Sequence, residues 1–203
     1  MKIKVHLAAA LLCAFAFPVL GQHDHAHPHD AKAPMDPAMM EAMAKAGTPS
    51  DPHKKLDVFA GTWDTTISMW MAPGTDPMSH KGKSTNAWIM DGRYLEQRFE
   101  GEMMGMPFTG LGYTGYDNVK KQYFGTWMDS MSTGMMTSTG SVSADGKTYT
   151  FDASMADPMT GKDAPIKEKI IVTDADHHTM EMWTPGPDGK MYKMMEIAYS
   201  RKK

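Results

Sequence analysis

Histidine alternates with other residues near the start of the chain, between residues 22 and 34. The four histidines of this segment are His23, His25, His27 and His29. Imidazole nitrogens suit Cu(II), Ni(II) and Zn(II), and histidine-rich tracts of this kind bind such ions. The segment has no apolar periodicity, so it is predicted to be a disordered tail. Two interpretations follow. The tail captures metal ions, or it is a soluble tail whose weak chelation has no selected role.

Methionine is unusually frequent, with 23 in 203 residues. Thioether sulfur is a soft ligand that favours Cu(I). Met69 and Met71 are two residues apart, which places both on one face of a strand, and they form the candidate Cu(I) pair. Methionine also fills irregular gaps among apolar side chains at little cost in stability. Packing, or the lining of a lipophilic cavity, is therefore the alternative to copper.

Four charged residues interrupt strand-like runs: Glu96, Arg98, Asp129 and Glu196. If they face inward, burial requires pairing, and Arg98 is the natural partner for a carboxylate. Paired carboxylates could instead act as general acid and base, which makes an uncharacterised enzyme a further alternative. Ion pairing or exposure to solvent explains the same residues without catalysis. The sequence has no nucleophile elbow, HExxH motif or serine–histidine–aspartate order.

A glycine-rich hairpin lies at the centre of the pattern that must position these residues. Asp117 and Asn118 form its turn, because both residue types favour turns. Gly110 and Gly112 alternate on one face of the first strand, which leaves room where a bent sheet closes or another group approaches. Together with Gly115 they match a dinucleotide-binding spacing, but that motif requires a following helix. Another strand follows here, so dinucleotide binding is not predicted.

Short β-rich runs separated by turns continue from residue 61 to the C-terminus. Asp-Gly pairs at 91–92, 145–146 and 188–189 are strong hairpin signals. A long meander loses its exposed edges best by closing on itself, and a barrel of more than about eight strands keeps an internal cavity. The prediction is a mainly β fold, a closed antiparallel up-and-down β-barrel of about ten strands. The predicted strands are Gly61–Met71, Ser79–Met90, Arg93–Glu102, Pro107–Tyr116, Lys121–Asp129, Gly134–Ser143, Thr148–Met155, Pro165–Thr173, Thr179–Trp183 and Met191–Ser200.

One or two short N-terminal helices should precede the barrel. Asp36 and Pro37 begin the first, and Gly47 ends it. The second follows residues 50–52 and carries Leu56 and Phe59, which should cap one end of the barrel. The predicted organisation is a signal peptide (1–21), a disordered histidine-rich tail (22–34), a short helix and linker (35–49) and a barrel domain (50–203).

The first residues have the pattern of a secretory signal. Lys2 and Lys4 precede an apolar run, and Gly21 offers a small residue for cleavage. The run is too short to span a bilayer, and no later stretch predicts a transmembrane segment. Periplasmic or secreted location is expected, with a mature chain lacking cysteine, because Cys13 lies in the signal. The balance of 21 basic and 24 acidic residues gives no reason to expect nucleic acid as a partner.

Several short motifs together resemble a known family. The chain is similar to the bacterial domain-of-unknown-function family fifteen-seventy-nine, from about residue 50 to the C-terminus. That resemblance implies a lipocalin-like, calycin-type β-barrel and brings no established activity. The motifs are His53-Lys54-Lys55-Leu56, Gly61-Thr62-Trp63, Asp91-Gly92-Arg93-Tyr94-Leu95, Pro107-Phe108-Thr109-Gly110, Gly115-Tyr116-Asp117, Trp127-Met128-Asp129-Ser130 and Met194-Met195-Glu196.

The resemblance also bears on individual residues. Gly61-x-Trp63 looks like the barrel-opening motif of lipocalins, fatty-acid-binding proteins and nitrobindins, which implies that Trp63 plugs one end of the barrel. Nitrobindin-like barrels hold haem through a histidine. No motif selects His80, His177 or His178 for that role, so haem is not predicted. His177 and His178 are expected to be exposed, because they follow Asp174 and Asp176 at a turn.

The sequence thus favours a secreted, non-catalytic protein that binds a small apolar or amphipathic molecule in a barrel cavity. The alternatives are a periplasmic copper-binding protein using the tail histidines with Met69 and Met71, and the enzyme with inward carboxylates. The candidate ligand-binding residues are Trp88, Arg98, Tyr116, Trp127, Asp129, Glu196 and Tyr199.

Overall fold

The computed structural model describes residues 35–203. A helix α1 (Pro37–Gly47), a short helix α2 (Asp51–Lys54) and a 3₁₀ helix (Lys55–Phe59) precede ten strands. The strands are β1 (Gly61–Met69), β2 (Met78–Ile89), β3 (Tyr94–Met103), β4 (Met106–Asp117), β5 (Gln122–Asp129), β6 (Met136–Val142), β7 (Thr148–Ala156), β8 (Asp163–Val172), β9 (His177–Pro185) and β10 (Met191–Arg201). The predicted mainly β fold with short N-terminal helices is confirmed.

The ten strands form one closed antiparallel barrel. Each strand pairs with the next along the chain, and β10 pairs back to β1, as Thr65 opposite Tyr199 illustrates. Strand ends differ slightly from the prediction. β1 ends at Met69 and not at Met71, and β9 extends over His177–Pro185, beyond the predicted Thr179–Trp183. Pairing with β10 adds His177, His178, Thr184 and Pro185 to β9, which the sequence pattern alone does not assign.

The 3₁₀ helix and α2 pack into one end of the barrel, which we call the capped end. Leu56 and Phe59 are buried there against Tyr123, Tyr149 and Phe151. The Tyr149 hydroxyl donates a hydrogen bond of 2.6 Å to the carbonyl oxygen of Lys55. The Tyr123 hydroxyl donates in the same way to the carbonyl of Pro52, at 3.0 Å. Apolar burial and these two hydrogen bonds together hold α2 and the 3₁₀ helix, which we call the capping segment, in place.

Trp63 and Arg201 link the first and last strands to the capping segment. The Trp63 ring is fully buried, and its Nε1–H donates to the Phe59 carbonyl at 2.9 Å. The Arg201 guanidinium lies 4.0 Å from the Trp63 ring centroid. It donates to the carbonyls of Ala60 at 2.7 Å and Val58 at 2.9 Å. The planar fork of arginine thus satisfies two carbonyls while it covers an aromatic face.

The turn between β4 and β5 forms as its residue types predict. The Asp117 carboxylate accepts hydrogen bonds from the backbone N–H groups of Val119 and Lys120, at 2.8 and 2.9 Å. Asn118 has a second role, because its amide donates to the Thr48 carbonyl at 2.7 Å, just beyond α1.

No helix among residues 35–203 combines the length and apolar character needed to cross a bilayer.

Candidate ligand-binding cavity

A cavity of about 270 Å³ lies inside the barrel beyond the capped end. Its wall consists mainly of apolar side chains that occur at every second position of the strands. Ile67 and Met69 on β1 and Met180 and Met182 on β9 show this alternation. Nine methionines belong to the lining: Met69, Met103, Met131, Met136, Met155, Met180, Met182, Met194 and Met195. The methionine enrichment of the sequence is thus concentrated in part around one internal space.

The register of the barrel aligns three of these methionines across neighbouring strands. Met69 on β1 lies opposite Met195 on β10, and Met195 lies opposite Met182 on β9. Met182 in turn lies opposite Glu168 on β8. Directly opposed residues have Cβ atoms about 5 Å apart. All four residues line the cavity. We call Met69, Met195 and Met182 the thioether row, and Glu168 lies at the end of this row.

Trp127 lines the cavity by lying over two glycines of the adjacent strand. Gly112 on β4 is opposite Trp127 on β5. A Cβ atom at Gly110 would lie 2.2 Å from Cζ2 of that ring, and one at Gly112 would lie 3.0 Å from Cε3. The glycine-lined face of the hairpin therefore makes room for an aromatic ring. The Trp127 Nε1–H donates to Asp129 at 3.1 Å, which fixes both side chains at the cavity wall.

A chain of polar side chains connects the cavity to the capped end. The Gln97 amide donates to Ser84 Oγ at 3.0 Å, and Ser84 donates to Asn86 Oδ1 at 2.8 Å. Asn86 donates to the Phe59 carbonyl at 2.8 Å. Gln97 also forms a hydrogen bond with the hydroxyl of Tyr199. Burial raises the pKa of Tyr199 to about 12. Gln97 and Tyr199 both line the cavity, so they present polar groups that a bound molecule can contact.

Glu168 is a carboxylic acid on the apolar inner face of β8. It lies between Ile166 and Ile170 at alternate positions, whereas Lys167 and Lys169 are exposed on the outer face. Among residues 35–203 it makes no hydrogen bond or ion pair. Burial raises the pKa of the Glu168 carboxyl to about 7, because desolvation disfavours the charged form. The sequence reasoning missed this residue, although the alternation of isoleucine, glutamate and isoleucine signals a carboxylate facing inward.

His178 is buried at the capped end, which corrects the expectation that both histidines at this turn are exposed. Only 5% of its surface is accessible, while His177 is exposed and pairs with Asp174 at 2.9 Å. The strand alternation explains the difference, because adjacent residues of β9 point to opposite faces. The space beside His178 is about 60 Å³, the volume of roughly two water molecules. The residues present therefore do not fit a haem at His178.

The predicted ligand-binding residues separate into three groups. Trp127, Asp129 and Tyr199 line the cavity. Trp88 and Tyr116 lie at the capped end, where Trp88 donates to Asp57 at 2.8 Å and Tyr116 packs edge-on against His53. The two remaining residues, Arg98 and Glu196, belong to ion pairs and do not line the cavity.

Arg98 pairs with a largely buried carboxylate, as the sequence predicts, since only 16% of the Glu96 side chain is exposed. Arg98 pairs with Glu96 at 2.7 Å, two residues away on the same strand, and its side chain is 64% exposed. Glu196 pairs with Lys193, which also lies 3.6 Å from Glu181. Glu196 follows Met195 and precedes Ile197, both cavity residues, so it takes the opposite face. Alternation along each strand decides these positions.

The predicted metal-binding residues are also separated. Met69 lines the cavity, whereas Met71 lies past the end of β1 and is 64% exposed. His23, His25, His27 and His29 lie outside the described residues. Within residues 35–203, no group of three or more histidine, cysteine, aspartate or glutamate side chains is arranged to hold a metal.

The sequence and the fold of this chain resemble those of known proteins. The family described as "Protein of unknown function (DUF1579)" matches residues 48–201. The chain belongs to this family. Its match covers the capping segment and all ten strands of this DUF1579 protein. A search of curated proteins finds no match.

A solved structure resembles this DUF1579 member at the level of the fold. The crystal structure of Rv2717c from M. tuberculosis shares 14% sequence identity, with a TM-score of 0.58. The similarity covers 77% of this chain and 100% of that chain. A redesigned β-barrel shares 13% identity with a TM-score of 0.41, covering 73% of this chain and 96% of the other.

Proposed function

We propose that this protein is exported and binds a small apolar or amphipathic molecule in the barrel cavity, without catalysis. The observation that supports the proposal is the 270 Å³ cavity, whose wall combines nine methionines with aromatic residues and few polar groups. Ligand sites of proteins have this composition, because apolar walls provide affinity and a few polar groups fix orientation. Methionine side chains adapt to guests of different shape.

Displacement and binding of a neutral fluorescent probe test this function. N-phenyl-1-naphthylamine should bind with micromolar affinity, on the order of −8 kcal/mol. Trp127 lies at the cavity wall, so excitation of tryptophan should transfer energy to the probe, and Trp127→Phe should reduce that transfer. Met182→Trp should fill the cavity and weaken binding at least tenfold. Met159→Trp is the matched control, because Met159 is 90% exposed. Equal binding to both variants would contradict the proposal.

Export is tested separately at the N-terminus. If residues 1–21 are a signal peptide, protein recovered from the periplasm or medium should begin at Gln22. The measurement is N-terminal sequencing together with intact mass of protein expressed from the full-length gene in a bacterium. An intact chain that stays in the cytoplasm would contradict this part of the proposal.

Binding of Cu(I) is a second candidate function, and the thioether row favours it. Three thioethers on neighbouring strands are a ligand set that suits Cu(I). Replacing Met69, Met182 and Met195 together by leucine keeps volume and removes the sulfurs. Under anaerobic titration against bicinchoninate, that variant should lose a saturable site. Replacing the exposed Met39, Met40 and Met43 by leucine is the control. A saturable site in every variant would contradict a role for the row.

Binding of Cu(II) by the tail is the remaining part of the copper candidate. Cu(II) should bind His23, His25, His27 and His29 and lose affinity below about pH 6.5, because a protonated imidazole cannot ligate. Deletion of residues 22–34 should remove the Cu(II) site and leave any Cu(I) site intact. Titration of full-length and shortened protein with each ion distinguishes the two sites. Unchanged Cu(II) affinity after the deletion would contradict a role for the tail.

A further inference from the structure

We propose that the cavity selects molecules that carry a positively charged amine, with Glu168 as the group that binds the ammonium. This inference rests on the ligand-binding function proposed above and specifies the chemical class of the ligand. Its starting point is a carboxylic acid at an inner position of β8, beside Ile166 and Ile170, that makes no hydrogen bond or ion pair among residues 35–203.

An unpaired carboxylate inside a barrel is unfavourable unless a cation or hydrogen-bond donors compensate it. The inner neighbours of Glu168 do not provide such compensation. Phe151 on β7 and Met182 on β9 lie directly opposite it, and neither offers a strong donor. Besides burial, the negative charge of Glu168 raises the pKa of Tyr199 on β10. The Tyr199 hydroxyl is hydrogen-bonded to Gln97. A bound cation would supply what the protein itself leaves open.

The other charged residue of the lining supports the same sign of ligand. Asp129 and Glu168 line the cavity, and the lining contains no lysine, arginine or histidine. Asp129 is already engaged, because it accepts hydrogen bonds from Trp127 Nε1 at 3.1 Å and from the Met131 N–H at 2.9 Å. Glu168 is therefore the carboxylate left for a ligand. A carboxylate ligand such as a fatty acid would meet like charge, whereas an ammonium would meet opposite charge.

The apolar part of the cavity accommodates the rest of such a molecule. A volume of 270 Å³ corresponds to about nine water molecules at roughly 30 Å³ each, which suits an alkyl chain of about eight carbons. The Trp127 ring and the methionines would contact the chain, and an aromatic face also attracts an ammonium. The pKa of Glu168 near 7 means that a cation would convert the carboxyl to its charged form at neutral pH.

A matched series of ligands tests the inference. Octylamine, 1-octanol and octanoate share one chain and differ in charge, and each is used to displace N-phenyl-1-naphthylamine in phosphate buffer at pH 8. Octylamine should bind at least tenfold more tightly than 1-octanol, and octanoate most weakly. Glu168→Gln should abolish the preference for octylamine over 1-octanol. Glu100→Gln, which removes an exposed carboxylate on β3, should keep the preference.

The pH dependence provides a readout that needs no variant. At pH 5.5 octylamine is still charged while Glu168 is protonated, so the preference should fall severalfold, and 1-octanol affinity should stay constant. Equal affinities for amine and alcohol at pH 8, or tightest binding of octanoate, would overturn the inference while the cavity function stands. Failure of the probe and of all three compounds to bind would instead overturn the proposed function.

Discussion

The imidazole of His178 stacks on the ring of Tyr199, with centroids 4.2 Å apart and planes inclined by 14°. Trp63 and Phe59 contact the same imidazole edge-on, at 4.4 and 5.1 Å. Burial, with a smaller contribution from the positive charge of Arg201, lowers the pKa of His178 to about 3. The capped end therefore contains a neutral histidine whose protonation is incompatible with its surroundings.

The first prediction concerns stability in acid. Between pH 6.5 and about 3 the unfolded chain binds a proton at His178 that the folded chain does not, so stability falls as pH decreases through this window. Relative to the wild type, His178→Phe should reduce the loss of unfolding free energy between pH 7 and pH 4.5 by about 2–3 kcal/mol. Urea unfolding at the two pH values measures the difference. His177→Phe, on the exposed face, should follow the wild type, and equal losses in all three proteins would refute the argument.

The second prediction concerns Glu168, whose contribution to stability changes with pH in the opposite direction. The folded-state pKa of Glu168 lies near 7, above the ordinary value of 4.5, so the folded chain holds the proton more tightly. Stability contributed by the protonated acid is therefore present below pH 4.5 and lost as pH rises through 7. In the absence of ligand, Glu168→Gln should stabilise the protein by about 1–3 kcal/mol more at pH 8 than at pH 5. A gain that does not change with pH would show that Glu168 is ionised in both states.

The third prediction concerns the guanidinium of Arg201. Lysine keeps the charge but cannot bond the carbonyls of Val58 and Ala60 together while it covers Trp63. Arg201→Lys should lower the free energy of unfolding by about 2–3 kcal/mol. Chemical denaturation of Arg201→Lys, Trp63→Phe and the double variant forms a thermodynamic cycle. Additive effects would show that the ring and the guanidinium are not coupled, contrary to the geometry.

The fourth prediction concerns the glycines beneath Trp127. A methyl group at Gly110 would lie 2.2 Å from the ring, so Gly110→Ala must displace it. The expected loss is about 1–3 kcal/mol, with a change in tryptophan emission. Gly47→Ala is the control, because no atom lies within 4 Å of a Cβ built there. In a Trp127→Phe background the Gly110→Ala penalty should shrink, and a penalty of unchanged size would place the strain elsewhere.

The sequence by itself determined the strands, their turns and the closure of the barrel. Alternation of apolar residues sets each strand, and turn residues such as Asp117 set the hairpins, because both signals are local. The glycine spacing at Gly110 and Gly112 also predicted a close approach. The approaching group, Trp127, became evident only from the pairing of β4 with β5.

Only the tertiary structure decided which face of each strand is inside and which residues meet across strands. Period-two alternation shows that Glu196 and Met195 point in opposite directions, but both directions satisfy the pattern until the barrel closes. Closure placed Arg98 outside, buried His178 and brought Met69, Met195, Met182 and Glu168 into one row. Those four residues come from four separate strands, and the register that unites them depends on pairing along the whole barrel.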